Sequence, residues 1–454
     1  MASALSYLSA HAQDIPARID EYFKKQHDEG AFNGNVLIAS HDTIIYKQSF
    51  GLAEIATGRK LNDTSVFELA SVSKQFTAMG IVLLERDSKL KYTDSLRHFF
   101  PDMPYSNITI EHLLHHTSGL PDYMDLVKNK TERGSIIGNE DLIRLLIQFK
   151  PPVNFKPGEK WEYSNTGYAL LAGIIEKVSG QPFGEYLKAK IFKPLGMRHT
   201  EVYRRRLENR KVENYAYGYV KESPDSKNMI LPDDHPNYKD MVHRLDGIVG
   251  DGTVNSTTGD LLTWSLALDN NRLVPAGVKE RIFSAGKLNN GEMHSYGYGW
   301  ITDNQFGNVK VVSHSGGWPG YNTLIEKHLD TRKTIILLNN YDNMLIQYDK
   351  LLNIIDGIKE EARKEIKLDS LKLKQYEGIY QLMPEFFITI TAKGERIFAQ
   401  VTGQGQFEIY PEKEDLFFYK VVEAQLKFIR NEQKEIISTI LIQNRREVDC
   451  KKIK

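Results

Sequence analysis

The sequence predicts an α/β (α+β) domain followed by a C-terminal antiparallel β domain. In the first, an antiparallel sheet is assembled from both ends of the domain, flanked by helices, with a helical subdomain inserted between. Three observations predict this. Strand signals stand at both ends of the first 355 or so residues, with helical spacing between them. Beyond Lys364 the pattern changes to period-two alternation. A chain of 454 residues also exceeds the practical limit of about 250–300 for one core.

The elements follow in order. Residues 1–29 form an N-terminal segment and first helix. Ala10-His11-Ala12 before Gln13 has the small-x-small spacing of a cleavage site, the mark of an exported periplasmic or extracellular protein. The start lacks a basic n-region, so an ordinary disordered start in a cytoplasmic protein stands beside that reading. Residues 30–364 form the first domain. Asn35 to Phe50 reads as a hairpin turning at His41-Asp42. Ser71 to Glu85 is apolar nearly all round and reads as a buried helix. Ile110–His116, Asp141–Gln148, Thr166–Ser179 and Thr258–Leu268 show helical spacing, separated by polar stretches such as Tyr203–Asp240. Strands return at Lys310–Ser313, Asn322–Lys327 and Lys333–Asn339, and a helix is expected over Asp342–Lys364. Residues 365–454 begin with a linker. They continue as strands near Phe387–Thr391, Arg396–Val401, Phe407–Tyr410, Gln425–Phe428 and Thr439–Ile442, an antiparallel sheet or small barrel.

Composition excludes several functions. The 59 Lys plus Arg balance 59 Asp plus Glu, which gives no global basic surface for nucleic acid. A mean hydropathy of -0.42 and the lack of an apolar run near 18–20 residues argue against a membrane span. The single cysteine, Cys450, allows no disulfide framework. Glu111-His112 and His115-His116 lie close together but lack a further ligand set, and a structural role is the simpler reading. G-x-S-x-G, H-E-x-x-H and phosphate-loop patterns are missing from the sequence.

S-x-x-K occurs three times, at Ser71–Lys74, Ser88–Lys91 and Ser284–Lys287. On a helix this spacing puts an amine beside a hydroxyl, and a buried amine is a usable proton acceptor. Only Ser71 opens an apolar helix, where it is either a nucleophile or a plain N-cap. Tyr-x-Asn also occurs three times, at Tyr105, Tyr163 and Tyr341. Tyr163-Ser164-Asn165 stands between Pro157-Gly158 and a strong helix, a place where a loop presents a side chain to a cleft. His314-Ser315-Gly316-Gly317 follows a strand, and its glycines permit close approach of a ligand or backbone.

Together these segments resemble the serine β-lactamase and penicillin-binding-protein superfamily, in its class C-like branch of family VIII esterases and D-aminopeptidases. Ser71-Val72-Ser73-Lys74 is similar to the first motif and Tyr163-Ser164-Asn165 to the second. His314-Ser315-Gly316 resembles the third, with histidine where lysine is usual. His115-His116-Thr117-Ser118-Gly119-Leu120, Gly250-Asp251-Gly252-Thr253-Val254 and Tyr296-Gly297-Tyr298-Gly299-Trp300 resemble three further stretches of that branch. The resemblance spans about residues 30–355, with Ser71 and Tyr163 separated by 92 positions and Tyr163 and His314 by 151. The C-terminal part resembles, more loosely, the lipocalin-like domain appended to such hydrolases.

The resemblance implies a serine hydrolase in which Ser71 is the nucleophile and Lys74 with Tyr163 the general base. The N–H groups of Ser71 and Gly317 would form the oxyanion hole. Asn165, His314, Ser315 and Gly316 would contact substrate, with Tyr123, Trp318 and Tyr321 as expected pocket walls. No metal or organic cofactor is implied. Histidine at 314 removes a fixed cation and tilts the expected substrate toward small esters or amides. A D-amino-acid peptidase, D-Ala-D-Ala carboxypeptidase or β-lactamase is the alternative. A non-catalytic ligand-binding sensor would share the fold but not need all three motifs.

Overall fold

The computed structural model describes residues 2–454 except 209, 304–310, 343–345, 359–362, 384–385, 423 and 444–445. It divides into two compact units, Phe23–Leu345 and a second made of Met1–Tyr22 with Ile346–Lys454. The elements used below are, in chain order, α1 (Ala2–Asp28), β1 (Gly34–Ser40), β2 (Thr43–Phe50), α2 (Lys74–Arg86), α3 (Asn165–Ser179), α4 (Thr258–Asp269), β3 (Ile301–Asp303), β4 (Val311–Trp318), β5 (Tyr321–His328), β6 (Lys333–Asn339) and α5 (Tyr348–Ile355). No helix among the described residues is long and apolar enough to cross a membrane.

The larger unit is built on a six-stranded sheet in the order β3-β4-β5-β6-β1-β2, in which all neighbours are antiparallel. The N-terminal hairpin β1–β2 therefore joins a sheet begun some 260 residues later in the chain, because β1 pairs with β6 from Gly34 opposite Asn339 to Ser40 opposite Lys333. Val36 to Ala39 and Ile335 to Leu338 are fully buried. Strands covered on both faces read as continuous apolar runs, and these do.

The helices between the strands pack into one core. α2 buries every residue from Lys74 to Leu84, so its apolar positions run all round rather than along one stripe. Each fully buried Leu, Ile or Phe there contributes about 1.5–3 kcal/mol of transfer free energy. α3 buries Thr166 to Ile175 and packs against α2. It starts where Ser164 caps it, the Ser164 side chain accepting the Gly167 N–H at 3.2 Å, and it ends at Gly180 in the left-handed region.

The second unit contains a closed barrel of eight consecutive antiparallel strands, β7 (Gly378–Met383), β8 (Phe386–Lys393), β9 (Arg396–Val401), β10 (Gln406–Lys413), β11 (Leu416–Tyr419), β12 (Ala424–Arg430), β13 (Ile436–Gln443) and β14 (Arg446–Lys452). β14 pairs back onto β7, so no edge is left open. In its core Phe417 meets both Tyr376 and Phe428 edge to face, and Tyr376 and Phe428 meet at a tilt of 57°. Cys450 is buried on β14. The sequence foreshadowed five of the eight strands. β7, β11 and β14 were not foreseen. The helix expected over Asp342–Lys364 is shorter, α5 covering Tyr348–Ile355, while 343–345 and 359–362 lie outside the described residues, as does Lys310 of an expected strand.

Candidate active site

β4 meets the chain at the turn Ala70–Ser73, which leads into α2. The chain reaches α2 through Phe67–Glu68, which pairs with Ser256 and Asn255. Ala70 then takes φ 48°, the left-handed region that a non-glycine residue rarely adopts. This bend, costing about 1–2 kcal/mol, is followed by a single turn of 3-10 helix, Ala70–Ser73, that runs into α2. Such strain is retained where surrounding contacts over-determine it. Here they do: Leu69 N–H donates to Val254 O at 2.9 Å, Thr323 Oγ1 donates to Leu69 O at 2.7 Å, and Val254 N–H donates to Ser73 Oγ at 3.0 Å. Ser71 caps no helix. Its hydroxyl instead accepts from Lys74 Nζ at 3.1 Å.

Lys74 is fully buried. An ammonium is costly inside a protein unless its N–H groups are matched. All three are: Nζ also donates to Asn165 Oδ1 at 2.9 Å and to Asp251 O at 2.8 Å. It lies 4.9 Å from the centroid of the Tyr163 ring. Asn165, the first residue of α3, is oriented from its other end, since its Nδ2 faces Asp122 Oδ2 at 3.3 Å. Asp251 is buried, which raises its carboxyl pKa against the opposing pull of Lys74, and Tyr123 Oη donates to it at 2.9 Å. Burial beside that carboxylate holds the Tyr123 phenol well above its ordinary value. The Tyr163 hydroxyl is buried and has no hydrogen-bond partner among the described residues.

His314, on β4, points inward. Its Nδ1 lies 2.6 Å from Ser315 O, so Nδ1 carries the proton, and its Nε2 accepts from Tyr296 Oη at 2.8 Å. Burial, and secondarily the nearby Lys74 charge, push its pKa down to about 3. The imidazole is therefore neutral near pH 7. Ser315 is exposed, whereas Gly316 is buried against the Ser71 turn. A Cβ at Gly316 would lie 2.2 Å from Leu69 O and 3.1 Å from Ser71 N, so only glycine lets the strand come this close.

Ser71 opens onto a cleft also lined by Tyr123, Asn165, Gly317 and Trp318. Its acidic lining residues are Glu68, Asp246 and Asp251, and no Lys, Arg or His lines it among the described residues. Asp246 is neutralised by Arg206 at 3.2 Å. Burial pushes the Glu68 carboxyl up to about 7. Tyr321, expected as a pocket wall, is instead buried away from this cleft, its hydroxyl bonded to Tyr215 Oη at 3.1 Å and to Ala216 O at 2.8 Å. A larger cavity of about 540 Å³, lined by His112, His115, His294 and Arg281, holds none of Ser71, Lys74 or Tyr163.

The other motif copies fall elsewhere. Ser88 sits in a turn after α2, Lys287 is exposed on a two-residue strand, and Tyr105 Oη donates to Pro151 O at 2.8 Å. Of the histidine pair, His115 faces Tyr296 O through Nδ1 at 2.9 Å, and His116 is buried against Tyr163. No group of three or more His, Cys, Asp or Glu is placed to hold a metal among the described residues. Sequence reasoning missed Asp251 as a lysine anchor, Asp122 behind Asn165, and the packing of His116. The Gly250-Asp251-Gly252 loop is visible in the sequence, but the contact to Lys74 is made by the Asp251 carbonyl, and a backbone acceptor leaves no signal of its own.

A family model described as Beta-lactamase matches residues 19–345, and one described as a domain of unknown function (DUF3471) matches 362–453. Penicillin-binding protein 4* of Bacillus subtilis (strain 168) is 39% identical over 430 residues, spanning 92% of this chain and 95% of that protein. Putative penicillin-binding protein PbpX of the same strain is 28% identical over 334 residues, 73% of this chain and 75% of that protein. Among solved structures, the octameric penicillin-binding protein homologue from Pyrococcus abyssi superposes with a TM-score of 0.64 at 23% identity, covering 95% of this chain and 99% of that one. D-amino acid amidase from Ochrobactrum anthropi SV3 gives 0.59 at 21%, covering 76% and 97%. At these identities the two structures speak for the fold.

Proposed function

Because this chain belongs to the β-lactamase family of serine hydrolases, we propose that it hydrolyses small esters or amides through an acyl-serine intermediate on Ser71. The observation that carries this reading is the buried Lys74 ammonium, 3.1 Å from Ser71 Oγ and matched on its other two N–H groups.

In the proposed reaction Ser71 Oγ attacks the substrate carbonyl carbon and its proton passes to Tyr163 Oη. Tyr163 enters this step as the phenolate, its negative charge supported by the Lys74 ammonium beside the ring, and leaves it as the neutral phenol. The carbonyl π electrons move onto oxygen, which the N–H groups of Ser71 and Gly317 receive. Collapse breaks the bond to the leaving alcohol or amine, which takes the proton back from Tyr163. Water then repeats the sequence on the acyl-serine and frees the acid. Asn165 holds Lys74 in place from one side and Asp251 O from another.

His314 and the lining of the cleft guide the choice of substrate. Where a cation could have held a substrate carboxylate, there is a neutral imidazole already engaged with Tyr296 and Ser315. The ionisable lining residues are acids. Both favour an ester or amide without a carboxylate next to the scissile bond. A second reading, acylation by penicillins or D-peptides, is favoured by the 39% identity to a protein named for penicillin binding.

A Ser71→Ala variant and a three-substrate panel test these readings. The expectation is that p-nitrophenyl butyrate is turned over by the parent protein and not by Ser71→Ala. Persistent hydrolysis by a folded Ser71→Ala protein refutes the nucleophile assignment. Faster turnover of nitrocefin or D-Ala-p-nitroanilide than of the ester would select the second reading.

A further inference from the structure

We propose that His116 is a positioning residue that clamps the loop carrying Tyr163 from both sides of that tyrosine. The proposal rests on the reading of Tyr163 as general base.

His116 is fully buried and adopts φ 57°, left-handed for a residue with a bulky side chain. That backbone bend sends its carbonyl and its ring toward the same neighbour segment. The carbonyl accepts the Glu162 N–H at 3.0 Å. The ring Nδ1 accepts the Ser164 N–H at 3.0 Å. The two residues flanking Tyr163 are thus both held by one residue. Between these bonds the imidazole lies against the Tyr163 ring, centroids 4.3 Å apart and planes 34° from parallel. Tyr168 and Tyr296 wall its other sides at 5.0 and 4.4 Å.

The clamp reaches further than the tyrosine. Ser164 caps α3, and the next residue is Asn165, which anchors Lys74. Fixing the Ser164 N–H therefore sets the position of two members of the catalytic group at once. The tautomer follows from the same bond: Nδ1 accepts, so the proton of the neutral ring sits on Nε2, which has no partner among the described residues. Charging the ring would place a proton on Nδ1, facing a donor. Burial, reinforced by the Lys74 charge, holds the His116 pKa well below its ordinary value, so the clamp is not switched near neutrality.

The test compares His116→Ala, His116→Asn and His116→Phe with Tyr163→Phe, using p-nitrophenyl butyrate and thermal melting of each protein. Asn places an amide oxygen near the Nδ1 position and is well tolerated in the left-handed region; Phe keeps a ring without an acceptor. His116→Ala and His116→Phe are expected to lose about 100-fold in kcat with KM within about threefold, the signature of a displaced base rather than of weakened binding. His116→Asn is expected to recover at least about tenfold of that loss. If His116→Ala fails to fold, the Asn-to-Phe activity ratio decides: a ratio near one overturns the proposal. A folded His116→Ala protein with parent kcat overturns it too. Should Tyr163→Phe keep parent activity, the base assignment falls and the clamp loses its purpose. Should Tyr163→Phe be inactive while His116→Ala is not, only the clamp falls.

Discussion

Replacing Gly316 by alanine adds one methyl group at the place where β4 touches the Ser71 turn. The added Cβ would stand 2.2 Å from Leu69 O, 2.4 Å from Thr323 Oγ1 and 3.1 Å from Ser71 N. Carbon and oxygen settle at about 3.3–3.6 Å, so the strand and the turn must separate by about 1 Å. Neither side yields by rotating a side chain, because Leu69 O is backbone and is held by Thr323. The proposed oxyanion donors, Ser71 N–H and Gly317 N–H, sit on opposite sides of this contact. A displacement of about 1 Å in a catalytic group costs about 100-fold in rate, and overpacking costs about 1–3 kcal/mol in stability. The assay is single-turnover acylation by p-nitrophenyl butyrate together with the melting temperature. Gly277→Ala, whose added Cβ meets nothing within 4 Å, serves as the neutral comparison. A Gly316→Ala protein that acylates at the parent rate and melts at the parent temperature would refute the close-approach argument.

Two further outcomes follow from the buried groups. Lys74→Met leaves Asp251 O and Asn165 Oδ1 without their donor and removes the charge beside Tyr163, so acylation should fall about 10³-fold, within the range of general-base effects; a fall below tenfold in stopped-flow acylation contradicts the role given to the amine. Burial first, then the nearby Lys74 charge for His314 and the neighbouring His115 for His294, depresses the pKa of His314 to about 3 and that of His294 to about 4. The unfolded chain binds these protons below about pH 6.5 while the folded chain does not, so their contribution to stability is complete above that pH and is lost as pH falls toward about 4. Urea midpoints measured at about pH 7.5 and 4.5 should drop less for His314→Gln than for the parent; equal drops would show that His314 is not buried neutral.

The large features were legible because they repeat along the chain. Apolar runs at Val36–Ala39 and Ile335–Leu338 announced strands, which the structure buries fully, and the all-round apolarity of α2 announced a helix without a solvent side. The pairing of β1 with β6 could be expected from strands at both ends of the domain. The barrel was only partly legible: β11 is four residues long and β14 is rich in charges, so neither shows clean alternation. In the site, Ser71, Lys74, Tyr163 and Asn165 were named from the sequence, and the structure brings Lys74 within hydrogen-bond distance of Ser71 and Asn165 and beside the Tyr163 ring. The Asp251 contact to Lys74 was not, since it is made by a carbonyl that every residue carries. The inward turn of His314 and the burial of Tyr321 depend on which face of a strand meets Tyr296 or Tyr215, and a single sequence does not encode that choice locally. The left-handed Ala70 is likewise invisible: alanine there looks like helix.

The central claim is that Ser71 becomes acylated. Intact-protein mass spectrometry after treatment with a fluorophosphonate and with a fluorescent penicillin, followed by peptide mapping, tests it most directly. The expected result is a single stoichiometric adduct on the peptide containing Ser71 with at least one of the two probes, absent from Ser71→Ala and slowed in Lys74→Met. A folded parent protein that gains no adduct from either probe, or gains it on another residue, would contradict the account.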